Sequence, residues 1–138
     1  MPTVQIEPPA QLGPLSIIVA DDVIEIQTLL EFWLREAGCT VVCASTGNEV
    51  VRMARRQHVD LVITDVIMPD GDGLDVILDL KRSRPQARVL AISGGGRCLQ
   101  AAECLKFAKG LGAHAVLLKP FNRDQLLAAV GRLTQAGA

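Results

Sequence analysis

The stretch LSIIVADDVIEIQTLLEFWLREAG, residues 15–38, contains the pattern that decides the fold. It begins with an apolar run, residues 15–20, that has the length and the Val and Ile content of a buried strand. Two aspartates follow, and residues 23–37 then place apolar side chains at the spacing of an amphipathic helix. The predicted core face of this helix consists of Ile26, Leu29, Leu30, Trp33, Leu34 and Ala37. The stretch therefore predicts one strand–helix unit.

The same unit recurs along the rest of the chain. Further apolar runs of strand length occupy residues 40–44, 61–64, 88–92 and 115–118. Runs that are apolar on both faces are typical of a parallel sheet that helices cover on each side. Five such units in one chain predict a single α/β domain.

Local signals place the remaining four helices. Thr46 with Glu49 forms a capping box, in which each residue satisfies a free backbone N–H of the first helical turn. Asn122 with Gln125 forms a similar pair before the last helix, predicted to run through residue 133. The two helices between them are predicted over residues 74–83 and 98–109.

Composition and charge exclude several classes of protein. The chain has 138 residues, which fits one domain, and its net charge is −1. This balance gives no overall attraction to nucleic acid or to an anionic membrane, so neither partner is expected. No apolar run is long enough to span a membrane, and residues 1–14 lack the features of a signal peptide. We therefore expect a cytoplasmic protein.

The predicted domain organisation has three parts. Residues 1–14 contain four prolines and few apolar side chains, which indicates a flexible tail. The domain is predicted over residues 15–134, and residues 135–138 form a short C-terminal tail. With no second domain predicted, we expect a stand-alone module whose output is binding to another molecule.

Five polar side chains follow the predicted strands at the points where ligands bind in parallel α/β sheets. They are Asp21, Asp22, Asp65, Ser93 and Lys119. If the strands are ordered 2-1-3-4-5, the first and third are neighbours and the three carboxylates meet at one edge. Clustered carboxylates repel each other unless a positive charge compensates, and a hard cation such as Mg²⁺ suits oxygen ligands. A carboxylate nucleophile, a metal, a lysine and a hydroxyl together meet the needs of phosphoryl transfer.

These residues lie within four motifs that match one family. The chain resembles the receiver domain of two-component response regulators, among them the chemotaxis regulator, over about residues 15–134. The matching segments are IIVADD (17–22), ITDVIMPDGDGLD (63–75), AISG (91–94) and LLKPF (117–121). The resemblance implies a flavodoxin-like, doubly wound sheet of five parallel strands in the order 2-1-3-4-5, with five helices.

The resemblance also implies a role for each acidic residue. Asp65 is the phosphoacceptor. Asp22 and Asp65 ligate Mg²⁺ or Mn²⁺ together with the backbone carbonyl of Ile67, and Asp21 assists through water.

The remaining roles concern the phosphoryl group and its donor. Lys119 pairs with the phosphoryl oxygens, Ser93 hydrogen-bonds the group and moves when it arrives, and the Lys119–Pro120 peptide is cis. A sensor histidine kinase or a histidine phosphotransfer protein supplies the phosphoryl group, and a downstream protein target responds to it.

Three further positions bear on the conformational switch and on the rate at which the phosphoryl group is hydrolysed. Val116 occupies the position of the usual switch aromatic, so we expect the loop 94–96 and the helix after it to carry the conformational change. The resemblance implies that Ile67 and Gly95 flank the path of the water that hydrolyses the phosphoryl group. Neither side chain orients a water, which predicts slow hydrolysis.

Two other functions remain open from the sequence. An aspartate-nucleophile phosphatase is an alternative, although such enzymes usually carry a D-x-D motif after the first strand, where this chain has Asp21 and Asp22 adjacent. A pseudo-receiver that binds partners without phosphorylation is a second alternative, which Val116 keeps open. The complete set of acidic, hydroxyl and lysine residues favours the phosphoacceptor, which is not expected to turn over substrates as an enzyme.

Overall fold

The computed structural model of the chain describes residues 12–66, 73–93, 106, 108–110 and 112–135. It shows an α/β domain with one sheet. The five strands are β1 Ser16–Ala20, β2 Thr40–Ala44, β3 Leu61–Asp65, β4 Arg88–Ser93 and β5 Ala115–Leu118. All of the predicted strands are present, each within one residue of its predicted bounds.

The strands are all parallel, and their order is β2-β1-β3-β4-β5. This confirms the doubly wound topology that the resemblance implied. Because β1 lies between β2 and β3, the chain reverses its direction of winding beside β1. Crevices at such points are where parallel α/β sheets bind ligands.

Helices follow the strands as predicted. The helices are α1 Ile24–Glu36, α2 Gly47–Arg56, α3 Gly73–Ser83, α4, which is helical at residues 106 and 108–110, and α5 Arg123–Gln135. The predicted start of α4, at residue 98, lies outside the described residues. Its described end includes Gly110, one residue beyond the prediction.

The sheet has two buried faces because successive side chains of a strand point to opposite sides. On β1, Ile18 and Ala20 pack in the cluster that contains side chains of α2 and α3. Ile17 and Val19 pack in the other cluster, with side chains of α1 and α5. These four side chains of β1 are each 2% exposed or less, which explains why the strand sequence is apolar on both faces.

The buried face of α1 differs from the predicted one at two positions. Leu29 was predicted to face the core, but it is 46% exposed. Gln27 is buried instead, along with Leu30 and Leu34. These three residues are spaced three and four apart, so they lie on one side of the helix, whereas Leu29 lies on the flank. Spacing alone did not reveal this, because α1 has more apolar side chains than one face can bury.

One of the two predicted capping pairs is reciprocal, and the other forms in part. Thr46 accepts a hydrogen bond from the Glu49 N–H, although the Glu49 carboxylate accepts from the N–H of Ser45 rather than from that of Thr46. Asn122 and Gln125 bond reciprocally, each side-chain oxygen accepting from the other backbone N–H at 2.8 Å. These bonds satisfy N–H groups that have no partner within the helix.

The described chain begins just before the predicted domain boundary. The N–H of Leu12 donates to the carbonyl of Ala37 at 2.7 Å, and the Leu12 side chain packs against the cluster that contains α1. The division into tail and domain at residue 15 stays a prediction. Among the helices that the structure describes, none has both the length and the apolar character needed to cross a bilayer.

Candidate functional site

The three predicted carboxylates meet at the edge of the sheet where the strands end, hereafter the carboxyl edge. Asp21 and Asp22 follow β1, and Asp65 is the last residue of β3. One oxygen from each carboxylate lies within 4.8 Å of the other two. The register explains this proximity, because Ala20 is paired with Thr64 and the next residues of both strands emerge side by side.

Asp21 is the most buried of the three acids, with no exposed surface. Its Oδ1 accepts from the Val23 N–H at 2.9 Å, and its Oδ2 accepts from Lys119 Nζ at 2.8 Å. Burial raises the pKa of the Asp21 carboxyl, although the hydrogen bond from Lys119 opposes that rise. Both oxygens therefore already have partners within the protein.

Lys119 lies between two acids. Its Nζ donates to Asp65 Oδ2 at 2.9 Å as well as to Asp21, and its side chain is 17% exposed. Burial alone would lower the pKa of Lys119, but its hydrogen bonds to the two carboxylates raise it. The site thus contains an ammonium ion that neutralises part of the acidic cluster.

Backbone pairing brings Ser93 to the same place. The N–H of Lys119 donates to the carbonyl of Ser93 at 2.9 Å, which continues the pairing of β4 with β5. Ser93 is 1% exposed and ends β4, so it lies at the carboxyl edge as predicted. The Lys119–Pro120 peptide is cis, as predicted.

Val116 is separated from these polar groups along β5. It is half-buried, pairs with Ala91, and packs against the cluster that contains α2 and α3. The described part of the site therefore has a small aliphatic side chain at the position predicted for a switch residue.

The arrangement fits a hard divalent cation. Carboxylate oxygens are the ligands that Mg²⁺ and Mn²⁺ favour, and Mg²⁺ commonly uses only one or two of them. Asp22 is exposed, whereas both oxygens of Asp21 are already hydrogen-bonded. The acids that would contact an ion directly are therefore Asp22 and Asp65.

Two predicted site residues, Ile67 and Gly95, lie outside the described residues, as does the loop 94–96. One residue that sequence reasoning missed is Gln27. Its side chain contacts the loop between β1 and α1 that carries Asp21 and Asp22, hereafter the acidic loop. Its Nε2 donates to the carbonyl of Asp21 at 2.6 Å. The only available signal was a polar residue among the apolar positions of a predicted helix face.

Comparison with known proteins agrees with the fold. Residues 17–131 match the family described as response regulator receiver domain. The chain is 35% identical over 117 residues to the DNA-binding transcriptional regulator NtrC of Rhizobium meliloti, covering 85% of this chain and 23% of that protein. It is 34% identical over 116 residues to the transcriptional regulatory protein ZraR of Escherichia coli, covering 84% and 25%.

A solved structure shows the same likeness in three dimensions. The receiver domain protein from Clostridium thermocellum superimposes with a TM-score of 0.79 at 28% identity, covering 89% of this chain and 96% of that one. The chain spans about a quarter of the length of the two curated relatives, so the likeness concerns only that part of each. The chain belongs to the response regulator receiver domain family, the phosphorylation-dependent signalling domains of two-component systems.

Proposed function

We propose that Asp65 accepts a phosphoryl group from the phosphohistidine of a sensor histidine kinase or a phosphotransfer protein, and that the phosphorylated form binds a protein target. The observation that carries this proposal is the position of the Asp65 carboxylate. It accepts a hydrogen bond from the Lys119 ammonium, and it lies beside the acids Asp21 and Asp22 at the carboxyl edge. A nucleophile, a fixed positive charge and a pair of further acids thus occupy one small region.

The chemistry follows from the carboxylate. An Asp65 oxygen attacks phosphorus, the bond from phosphorus to the donor nitrogen breaks, and an acyl phosphate forms. Lys119 already contacts Asp65 Oδ2, so its ammonium is near the place where the phosphoryl oxygens arrive. Positioning and charge neutralisation are the main requirements of such a transfer.

We propose that the reaction depends on Mg²⁺, with Mn²⁺ as a substitute. Asp22 and Asp65 would ligate the ion with the Ile67 backbone carbonyl, and Asp21 would assist through a water. When bound, the ion neutralises negative charge on the transferred group. Asp21 meanwhile holds Lys119 in place, because its Oδ2 accepts from the ammonium.

Phosphorylation would change the charge of the site. The acyl phosphate carries about −1.5 to −2 charges where the carboxylate carried a single negative charge, and it brings three acceptor oxygens beside Lys119 and Ser93. We propose that Ser93 moves to donate to these oxygens, and that residues 93–110 transmit the change in place of an aromatic switch. Val116 packs against the core and is too short to rotate between two positions as a ring does.

The proposal can be tested by incubating the protein with Mg²⁺ and acetyl phosphate and then measuring its intact mass. The expected result is a single adduct that hydroxylamine removes, since acyl phosphates react with this nucleophile. Asp65→Asn should remain folded and form no adduct. An adduct of equal yield in Asp65→Asn would contradict the proposed acceptor.

The same preparation distinguishes the phosphoacceptor from an enzyme. With p-nitrophenyl phosphate and Mg²⁺ we expect no sustained release of nitrophenol, because the proposed site transfers one phosphoryl group and resets slowly. Continuous turnover that Asp65→Asn abolishes would favour the phosphatase alternative.

A further inference from the structure

Gln27 is a buried polar residue on the core face of α1, and its side chain is directed at the acidic loop. It is 7% exposed. Its Nε2 lies 2.6 Å from the carbonyl oxygen of Asp21, 3.1 Å from the carbonyl oxygen of Ala44 and 3.0 Å from Ser45 Oγ. Carbonyl oxygens only accept hydrogen bonds, so the amide nitrogen, and not its oxygen, must face them.

These bonds join three segments of the chain. Asp21 belongs to the loop between β1 and α1, Ala44 ends β2, and Ser45 begins the turn into α2. The carbonyl of Ala44 also accepts from the backbone N–H of Asp21 at 3.2 Å. Hydrogen bonds therefore restrain both backbone groups of Asp21: its N–H donates to β2, and its carbonyl accepts from α1.

This restraint acts on the residues that carry the negative charge. Three carboxylates within 4.8 Å repel each other, and the repulsion favours rotation of the β1–α1 loop away from Asp65. Asp22 is the residue most affected, because it directly follows Asp21 and is exposed. The Gln27 amide opposes such a rotation, since moving the loop would leave a buried donor without its acceptor.

We infer that Gln27 is a positioning residue that holds Asp21 and Asp22 in the geometry needed to bind the divalent cation. This inference rests on the proposed function. It assigns Gln27 no contact with the ion or with the phosphoryl group, because its effect passes through the Asp21 carbonyl. Hydrogen bonds made directly to metal ligands are typically worth about 10- to 100-fold in metal affinity, and Gln27, whose bond is one residue away from Asp22, should act at the lower end of that range.

The test compares two substitutions on the same helix. Gln27→Met keeps the length of the side chain and removes its donor. Arg35→Met is the matched control, because Arg35 Nη2 donates to the carbonyl of Val41 at 2.9 Å and so joins α1 to β2 away from the site. Both changes should lower the resistance of the protein to urea.

The readout that separates the two is the Kd for Mg²⁺, measured by calorimetry where all proteins are folded. We expect Gln27→Met to weaken binding by about tenfold or more, and Arg35→Met to leave it unchanged. In metal-free protein, Gln27→Met should also speed amide exchange at Asp21, whose N–H donates to the Ala44 carbonyl of β2, and at Val23, whose N–H donates to the Asp21 carboxylate.

Two results would overturn the inference alone: equal Mg²⁺ affinity in wild type and Gln27→Met, or an equal loss in Gln27→Met and Arg35→Met. A wild-type protein that binds no Mg²⁺ and forms no adduct with acetyl phosphate would instead overturn the proposed function.

Discussion

The ammonium of Lys119 donates to Asp65 Oδ2 at 2.9 Å, although the two residues are 54 positions apart in the chain. The contact exists because β3 and β5 are both neighbours of β4, so their carboxyl ends lie on the same edge of the sheet. Asp21 accepts from the same ammonium at 2.8 Å. One lysine therefore neutralises two acids, and it competes with any cation that the acids bind.

Replacing Lys119 with Met should tighten the binding of Mg²⁺ while preventing phosphorylation. Removing a positive charge near a divalent ion should strengthen binding by about tenfold or more, because a unit charge and a divalent charge roughly 4 Å apart repel each other by about 2 kcal/mol even in water. Calorimetry measures the affinity, and intact mass after acetyl phosphate treatment measures the adduct. Lys109→Met, which removes an exposed lysine of α4, serves as control. Weaker Mg²⁺ binding in Lys119→Met would contradict this account of the site.

Asp22→Ala should weaken Mg²⁺ binding and abolish adduct formation. It should also raise the unfolding temperature of the metal-free protein slightly, because it relieves repulsion within the acidic cluster. Calorimetry and thermal unfolding in EDTA test the two effects. Glu36→Ala removes an exposed carboxylate at the opposite end of α1 and should change neither affinity nor adduct yield. If Mg²⁺ affinity survives in Asp22→Ala, the proposed ligand set is wrong.

His114 should make the fold sensitive to mild acid. Its Nδ1 accepts from the Val89 N–H at 3.0 Å, and burial together with the charges of Arg88 and Lys81 lowers its pKa. The unfolded chain therefore takes up this proton first. The stability that neutral His114 contributes is present above about pH 6.5, declines below it, and is lost once pH falls through the lowered pKa.

The His114 prediction is tested by urea unfolding at about pH 7.5 and about pH 5.5, on either side of the reference pKa. His114→Asn supplies an oxygen that can accept from the Val89 N–H at either pH, so this variant should lose less stability on acidification. His58, which pairs with Asp60, is present in both proteins and cancels from the comparison. An equal loss in both proteins would refute the assigned role.

The phosphorylated protein should lose its phosphoryl group slowly by itself. The two residues predicted to flank the incoming water are Ile67, whose side chain is apolar, and Gly95, which has no side chain, so neither orients the water. A positioned polar group is worth about 100-fold in rate. Ile67→Asn should therefore shorten the lifetime of the adduct, followed by intact mass after removal of acetyl phosphate. Ile67→Val, which stays apolar, should leave the lifetime nearly unchanged. Decay of the wild-type adduct within seconds in Mg²⁺ alone would rule out slow hydrolysis.

The sequence by itself determined the strands, the described helix limits to within about two residues, and which polar residues lie at the carboxyl edge. Buried parallel strands must be apolar on both faces, so runs such as residues 61–64 were visible without a structure. Capping pairs such as Asn122 with Gln125 act over three residues, which a linear pattern records. The identity of the site residues came from their motifs, since each one alone is an ordinary loop residue.

Only the tertiary structure decided how these residues contact one another. Both oxygens of Asp21 are hydrogen-bonded, whereas Asp22 is exposed. This difference depends on the position of the loop after β1. The burial of Gln27 in preference to Leu29 likewise depends on the rotation of α1 against the sheet. These features follow from packing and hydrogen bonds between segments distant in the chain, and a local pattern of apolar and polar residues does not encode such contacts.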